Sequence, residues 1–117
     1  MNSRDAKRYA ALRELGCIAC LLNGTPQLAG NVEINHLVDK GYRKHSGGNQ
    51  ATIPLCVWHH RGEPPMDFTV RYMREIAGPS MFHEGKAFTE RYGTQRQLLG
   101  KVNEMLRIGK RGKATEL

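Results

Sequence analysis

Apolar positions recur at two different periods along this chain, and glycines mark where one period gives way to the next. In residues 4–15, RDAKRYAALREL, Tyr9, Leu12 and Leu15 fall at helical spacing. Ser3 is the predicted N-cap of that helix, Asp5 stands in its first turn and Gly16 stops it. Gly24, Pro26 and Gly30 mark a loop. Residues 31–39, NVEINHLVD, alternate through Val32 and Ile34 to His36, the period of a strand. Residues 41–49, GYRKHSGGN, read as a basic, glycine-rich loop, after which Thr52, Ile53 and Leu55 form a second strand that arrives at Cys56. A short helix is predicted to begin near His59 or His60, and RGEPP at 61–65 stops it. Residues 78–92 predict another helix with Ser80 as its cap. Thr94 and Gln97 have capping-box spacing for a last helix, in which Leu98, Val102, Met105 and Leu106 make a core-facing stripe. The pattern predicts one α+β domain over residues 1–106, and the polar, glycine-rich 107–117 is expected to be a flexible basic tail.

Two pairs of metal-ligating residue types with identical spacing interrupt this pattern. GCIAC carries Cys17 and Cys20, and TIPLCVWHH carries Cys56 and His59, each pair separated by two residues. Two such hooks present four side chains to one tetrahedral zinc, with sulfur at about 2.3 Å and imidazole nitrogen at about 2.0–2.1 Å. Cys17, Cys20, Cys56 and His59 therefore form a Cys₃His set that uses all three cysteines. The competing reading is of three buried apolar thiols. His60 is the rival to His59 as fourth ligand, but only His59 keeps the hook spacing.

Composition adds scale and charge. In 117 residues the core is modest, so a metal staple would supply a useful part of the folding free energy, which marks the zinc as structural. Eighteen Lys and Arg against 11 Asp and Glu give a net charge of +7, which favours a polyanionic partner, nucleic acid before membrane. No apolar run approaches the ~20 residues of a membrane span, and MNSRDAKRYA lacks the apolar core of a secretory signal, so a cytoplasmic location with reduced thiols is expected.

Hydrolysis of a phosphodiester needs a base near neutrality to take a proton from water, a divalent cation to offset developing charge, and cations to hold the backbone. His36 at a strand end and His60 at the start of the facing helix are placed by the predicted order to approach one another, with Asn35 and His83 able to complete the site. Arg43, Lys44 and Arg61, the tail residues Lys110, Arg111 and Lys113, and Arg71 and Arg74 are candidates for phosphate contacts, which supply affinity without sequence preference. Against each stands a bland role: a hydrogen-bonded core histidine for His36, a capping or packing one for His83, ordinary surface charge for the cations.

The strand ending in EINHL, the glycine-rich loop and TIPLCVWHH together resemble the His-Me finger (HNH) nucleases, whose core is a ββα-metal unit. GCIAC, VEINHL, TIPLCVWHHRG, GPS and FTERYGT more closely resemble the phage Ref family of RecA-dependent nucleases, over about residues 6–99. The resemblance implies a metal-dependent DNA endonuclease, phage- or bacterially encoded, that acts on DNA bound by a RecA filament in recombination. It implies His36 as the base, Asn49 as the residue that orients it with His45 as a rival, and Asn35, His60 and His83 around a catalytic magnesium or manganese ion. Asparagine at 35 departs from the family's usual aspartate or histidine and offers a metal only a neutral carbonyl oxygen. The alternative function is therefore a zinc-stapled DNA-binding or recombination-accessory module with weakened or absent cleavage. A monomer is expected in either case.

Overall fold

The computed structural model describes residues 2–27 and 30–115, with side chains as far as residue 109. The fold is α+β: seven helices surround a two-stranded antiparallel sheet among the described residues.

Helix α1 (Ser3–Leu15) ends at Gly16 as the apolar spacing predicts, but its cap is Asn2, whose Oδ1 accepts from the Asp5 amide at 2.8 Å. Cys17 caps a short helix, α2 (Ile18–Asn23), so Cys20 sits one turn in on the buried face. Strands β1 (Val32–His36) and β2 (Thr52–Cys56) pair with Val32 opposite Cys56 and His36 opposite Thr52. The connection between them is more structured than its glycines suggest: it holds a short helix, α3 (Arg43–Ser46), and a 3-10 turn (Gly48–Gln50). Arg96 clamps it, with two hydrogen bonds to the Asp39 carboxylate at 2.9 and 2.7 Å and one to the Ser46 carbonyl at 3.0 Å.

Strand β2 is buried throughout and runs straight into α4 (Val57–Arg61), whose first turn is capped by the Cys56 sulfur rather than beginning at His59. Trp58 is fully buried beneath this turn, and its indole donates to the Gly78 carbonyl at 3.1 Å. Helix α5 (Val70–Ala77) has no counterpart in the sequence reading. Thr69 caps it by accepting from the Tyr72 amide at 3.0 Å, and Met73 and Ala77 fall on its buried face. The helix expected over residues 78–92 begins only at Gly85, as α6 (Gly85–Tyr92). Gly78 lies at φ +80°, and a Cβ there would meet the Tyr92 hydroxyl at 2.6 Å, so the chain must turn before it can wind. Ser80 caps that turn by accepting from the His83 amide at 3.0 Å.

The last helix, α7 (Gln95–Thr115), starts at a reciprocal capping box: Gln97 N–H donates to Thr94 Oγ1 at 3.1 Å and Thr94 N–H to Gln97 Oε1 at 2.8 Å. Leu98 and Val102 are fully buried, with Met105 and Leu106 half-buried behind them. Its backbone stays helical to Thr115, through most of the segment whose composition predicts a tail. Arg8 then ties α1 to both neighbours, donating to Thr52 Oγ1 at 2.8 Å, to the Thr52 carbonyl at 2.6 Å and to Asn103 at 2.9 Å. No helix among the described residues is long and apolar enough to cross a membrane.

Candidate functional site

Four ligands converge where α2 meets the β2–α4 junction. The Cys17, Cys20 and Cys56 sulfurs and His59 Nδ1 all lie within 4.8 Å of one another, buried. A tetrahedral zinc with the bond lengths above would set sulfurs about 3.8 Å apart and sulfur from nitrogen about 3.6 Å. The Cys20 and Cys56 sulfurs are 3.9 Å apart, and His59 Nδ1 lies 3.5, 3.5 and 3.3 Å from Cys17, Cys20 and Cys56. On the far edge of the ring, His59 Nε2–H donates to the Ala77 carbonyl at 2.8 Å, which leaves Nδ1 as the lone-pair nitrogen. Asn23 and Tyr92 also donate to that carbonyl, at 2.7 and 3.1 Å. The cluster can hold a metal ion such as zinc.

Its protonation argues the same way. Hydrogen bonds with Cys17 and Cys56, and then burial, push the Cys20 thiol far above the ordinary thiol range, while hydrogen bonds from Cys17 and Cys20 hold Cys56 far below it. Sulfurs this close in a dry pocket cannot all ionise unless a cation offsets their charge.

His36 lies at the other end of the sheet. Its Nε2 is 3.0 Å from Asn49 Oδ1 and 3.0 Å from the Tyr9 hydroxyl, which itself donates to Asn49 Oδ1 at 3.0 Å. The Asn49 amide nitrogen donates to Asp5 Oδ2 at 3.1 Å, and Gln50 donates to Asp5 Oδ1 at 2.7 Å. Asn49 is thus at the imidazole, whereas His45 turns away and packs edge-on to Tyr42 with ring centroids 4.3 Å apart. Tyr9 and Asp5 were invisible to sequence reasoning because they lie 27 and more residues from their partners on a helix that reads as scaffold.

The other predicted residues have separate partners. His60 Nδ1 lies 2.9 Å from Glu33 Oε1, and Arg61 pairs with the same carboxylate at 2.8 Å. Partial burial opposes ionisation of Glu33, but the hydrogen bonds from His60 and Arg61 outweigh it and hold the carboxyl below its ordinary range. Asn35 is buried and its amide nitrogen donates to Gln95 Oε1 at 3.0 Å. His83 sits in the turn before α6, not on a helix, and its Nε2 meets the Gly62 carbonyl at 2.9 Å. Gly62 is irreplaceable there: it has φ +70° and a Cβ would fall 2.3 Å from the His83 ring.

Of the proposed phosphate contacts, Arg43 and Lys44 are exposed on α3, in the loop that joins His36 to Asn49. Arg61 is committed to Glu33 and Glu63, Arg71 to Glu75 and Arg74 to Glu84. The side chains of Lys110, Arg111 and Lys113 lie outside the described residues.

Residues 2–107 match the family model described as recombination enhancement, RecA-dependent nuclease. The chain belongs to that family. Its name indicates an enzyme that cleaves nucleic acid and is involved in recombination enhancement, in a context of DNA and RecA. No curated protein matches the chain.

Proposed function

We propose that the chain is a metal-dependent DNA endonuclease of the HNH type, acting on RecA-bound DNA, with the Cys₃His cluster as its structural zinc site. The observation that carries this reading is His36, half-exposed at the end of β1 with Nε2 held by Asn49 at 3.0 Å. An imidazole anchored through Nε2 keeps Nδ1 for a proton, as a base that activates water requires.

The same reading gives the chain a second cation. Each expected ligand has one end occupied and the other left over. Gln95 takes the Asn35 amide nitrogen and leaves its carbonyl oxygen, the Glu33 carboxylate takes His60 Nδ1–H and leaves Nε2, and the Gly62 carbonyl takes His83 Nε2–H and leaves Nδ1. These are the residues that would hold magnesium or manganese. When bound, that ion would offset negative charge on the phosphorane and the leaving oxygen. His36 takes the proton of the attacking water, Asn49 keeps the ring turned toward it, and Arg43 and Lys44 hold the DNA backbone.

Nicking of circular DNA, free or wrapped in a RecA filament, by the purified wild type and by Asn35→Asp tests this reading. Aspartate gives the cation a charged ligand in place of a neutral one, so Asn35→Asp is expected to cut at lower manganese and several-fold faster. A silent wild type beside an active Asn35→Asp would mean a nuclease weakened at its metal site. Silence of both with DNA binding retained would leave the accessory-module reading, which the neutral Asn35 favours.

A further inference from the structure

We propose that Asp5, on the N-terminal helix and outside the sheet and α4, is a positioning residue that sets the tautomer of His36 through Asn49. The inference rests on the nuclease reading for its consequence, but its structural content does not.

The direction of every hydrogen bond in the cluster follows from one group that can only accept. An ionised carboxylate has no proton to give, and the hydrogen bonds from Gln50 and Asn49 hold Asp5 below the usual carboxylate range, so it stays ionised. Asn49 must therefore turn its NH₂ toward Asp5 Oδ2, 3.1 Å away, and its Oδ1 must face the opposite side. There it meets His36 Nε2 at 3.0 Å, and an amide oxygen accepts only from a protonated nitrogen. The Tyr9 hydroxyl gives its own hydrogen to Asn49 Oδ1, which leaves only an oxygen lone pair for Nε2 at 3.0 Å. Both neighbours of Nε2 are acceptors, so the proton of neutral His36 belongs on Nε2 and the lone pair on Nδ1.

Without Asp5 nothing dictates which end of the Asn49 amide faces the ring. A half-turn of that amide would present NH₂ to Nε2 and draw the proton to Nδ1, which would abolish the base. Asp5 is also buried by the fold, with Gln50 donating to its other oxygen at 2.7 Å, so the carboxylate cannot swing away from Asn49.

The test is the tautomer of His36 read from its ring ¹⁵N shifts in zinc-loaded protein without added magnesium or manganese, alongside the DNA cleavage rate with manganese. Wild type is expected as the Nε2–H form. Asp5→Ala should show a substantial Nδ1–H population and a roughly ten-fold or greater fall in the cleavage rate at saturating DNA, with DNA affinity and zinc content kept. Gln50→Ala loses an equivalent hydrogen bond to the same carboxylate but should keep both tautomer and rate. If Asp5→Ala does not fold, Asp5→Asn keeps the shape and offers Asn49 a donor as well as an acceptor, so a mixed tautomer is expected. An unchanged Nε2–H form in the Asp5 variants, or equal losses in Asp5→Ala and Gln50→Ala, would overturn the proposal. A tautomer shift in a protein that never cuts DNA would uphold the positioning role and overturn the nuclease reading.

Discussion

Replacement of Cys56 by Ser, or treatment of the wild type with a strong zinc chelator, is expected to unfold the domain at room temperature. Cys56 is at once a cluster ligand, the N-cap of α4 through its contact with the His59 amide at 3.4 Å, and the last residue of the fully buried β2. The cluster joins α2 to the β2–α4 junction, and through Ala77 it reaches the end of α5, so its loss frees three elements together. Magnitudes decide the outcome. A structural zinc contributes an apparent ~10–16 kcal/mol, whereas a domain of this size holds roughly 5–15 kcal/mol in all. Far-ultraviolet circular dichroism with zinc stoichiometry would check this: one zinc per chain and a cooperative melt in the wild type, neither in Cys56→Ser. A variant that keeps its melting temperature with no zinc bound would refute a structural role for the cluster.

His36→Ala is expected to lower cleavage of RecA-bound DNA by about 10² to 10⁴-fold, the range a positioned general base supplies, which corresponds to roughly 3–5 kcal/mol of barrier. Folding should barely change. The ring is half-exposed and its hydrogen bonds to Asn49 and Tyr9 lie at the surface end of the sheet, so about 1 kcal/mol is at stake. Zinc content and DNA affinity should match wild type, because His36 belongs neither to the cluster nor to the basic surface of α3. Single-turnover rates with filter-binding affinities would separate the two effects. A loss of binding equal to the loss of rate would mean that His36 holds DNA rather than activating water.

Sequence legibility followed the range of the interactions concerned. The 4–15 helix, the two strands, the cysteine hooks and the Thr94–Gln97 box are written in residues at most a few positions apart, and period or spacing exposes them. RGEPP marks only where the short helix before it stops, and the signal for helix α5 comes after it, in the Thr69 cap with Val70, Met73 and Ala77 at helical spacing. The choice of His59 over His60 was legible from hook spacing, but its physical cause is the Ala77 carbonyl, eighteen residues downstream. The partners of His36 and His60 were beyond reach. Tyr9 and Asp5 look like one helix's interior and first-turn charge, and Glu33 like the exposed half of a strand alternation. Only the folded chain brings Glu33 to His60 across 27 residues and Asp5 to Asn49 across 44. Arg61, Arg71 and Arg74 show the converse: as sequence they are cations available to phosphate, and the fold gives each a carboxylate.

The manganese dependence of cleavage by the wild-type chain tests the central claim most directly. With one zinc bound per chain and RecA-coated DNA as substrate, the account predicts no cutting without added manganese and a rate that rises to saturation as manganese is added. Full-rate cutting without it, or no cutting at any concentration by the wild type and by Asn35→Asp while both still bind DNA, would contradict the account.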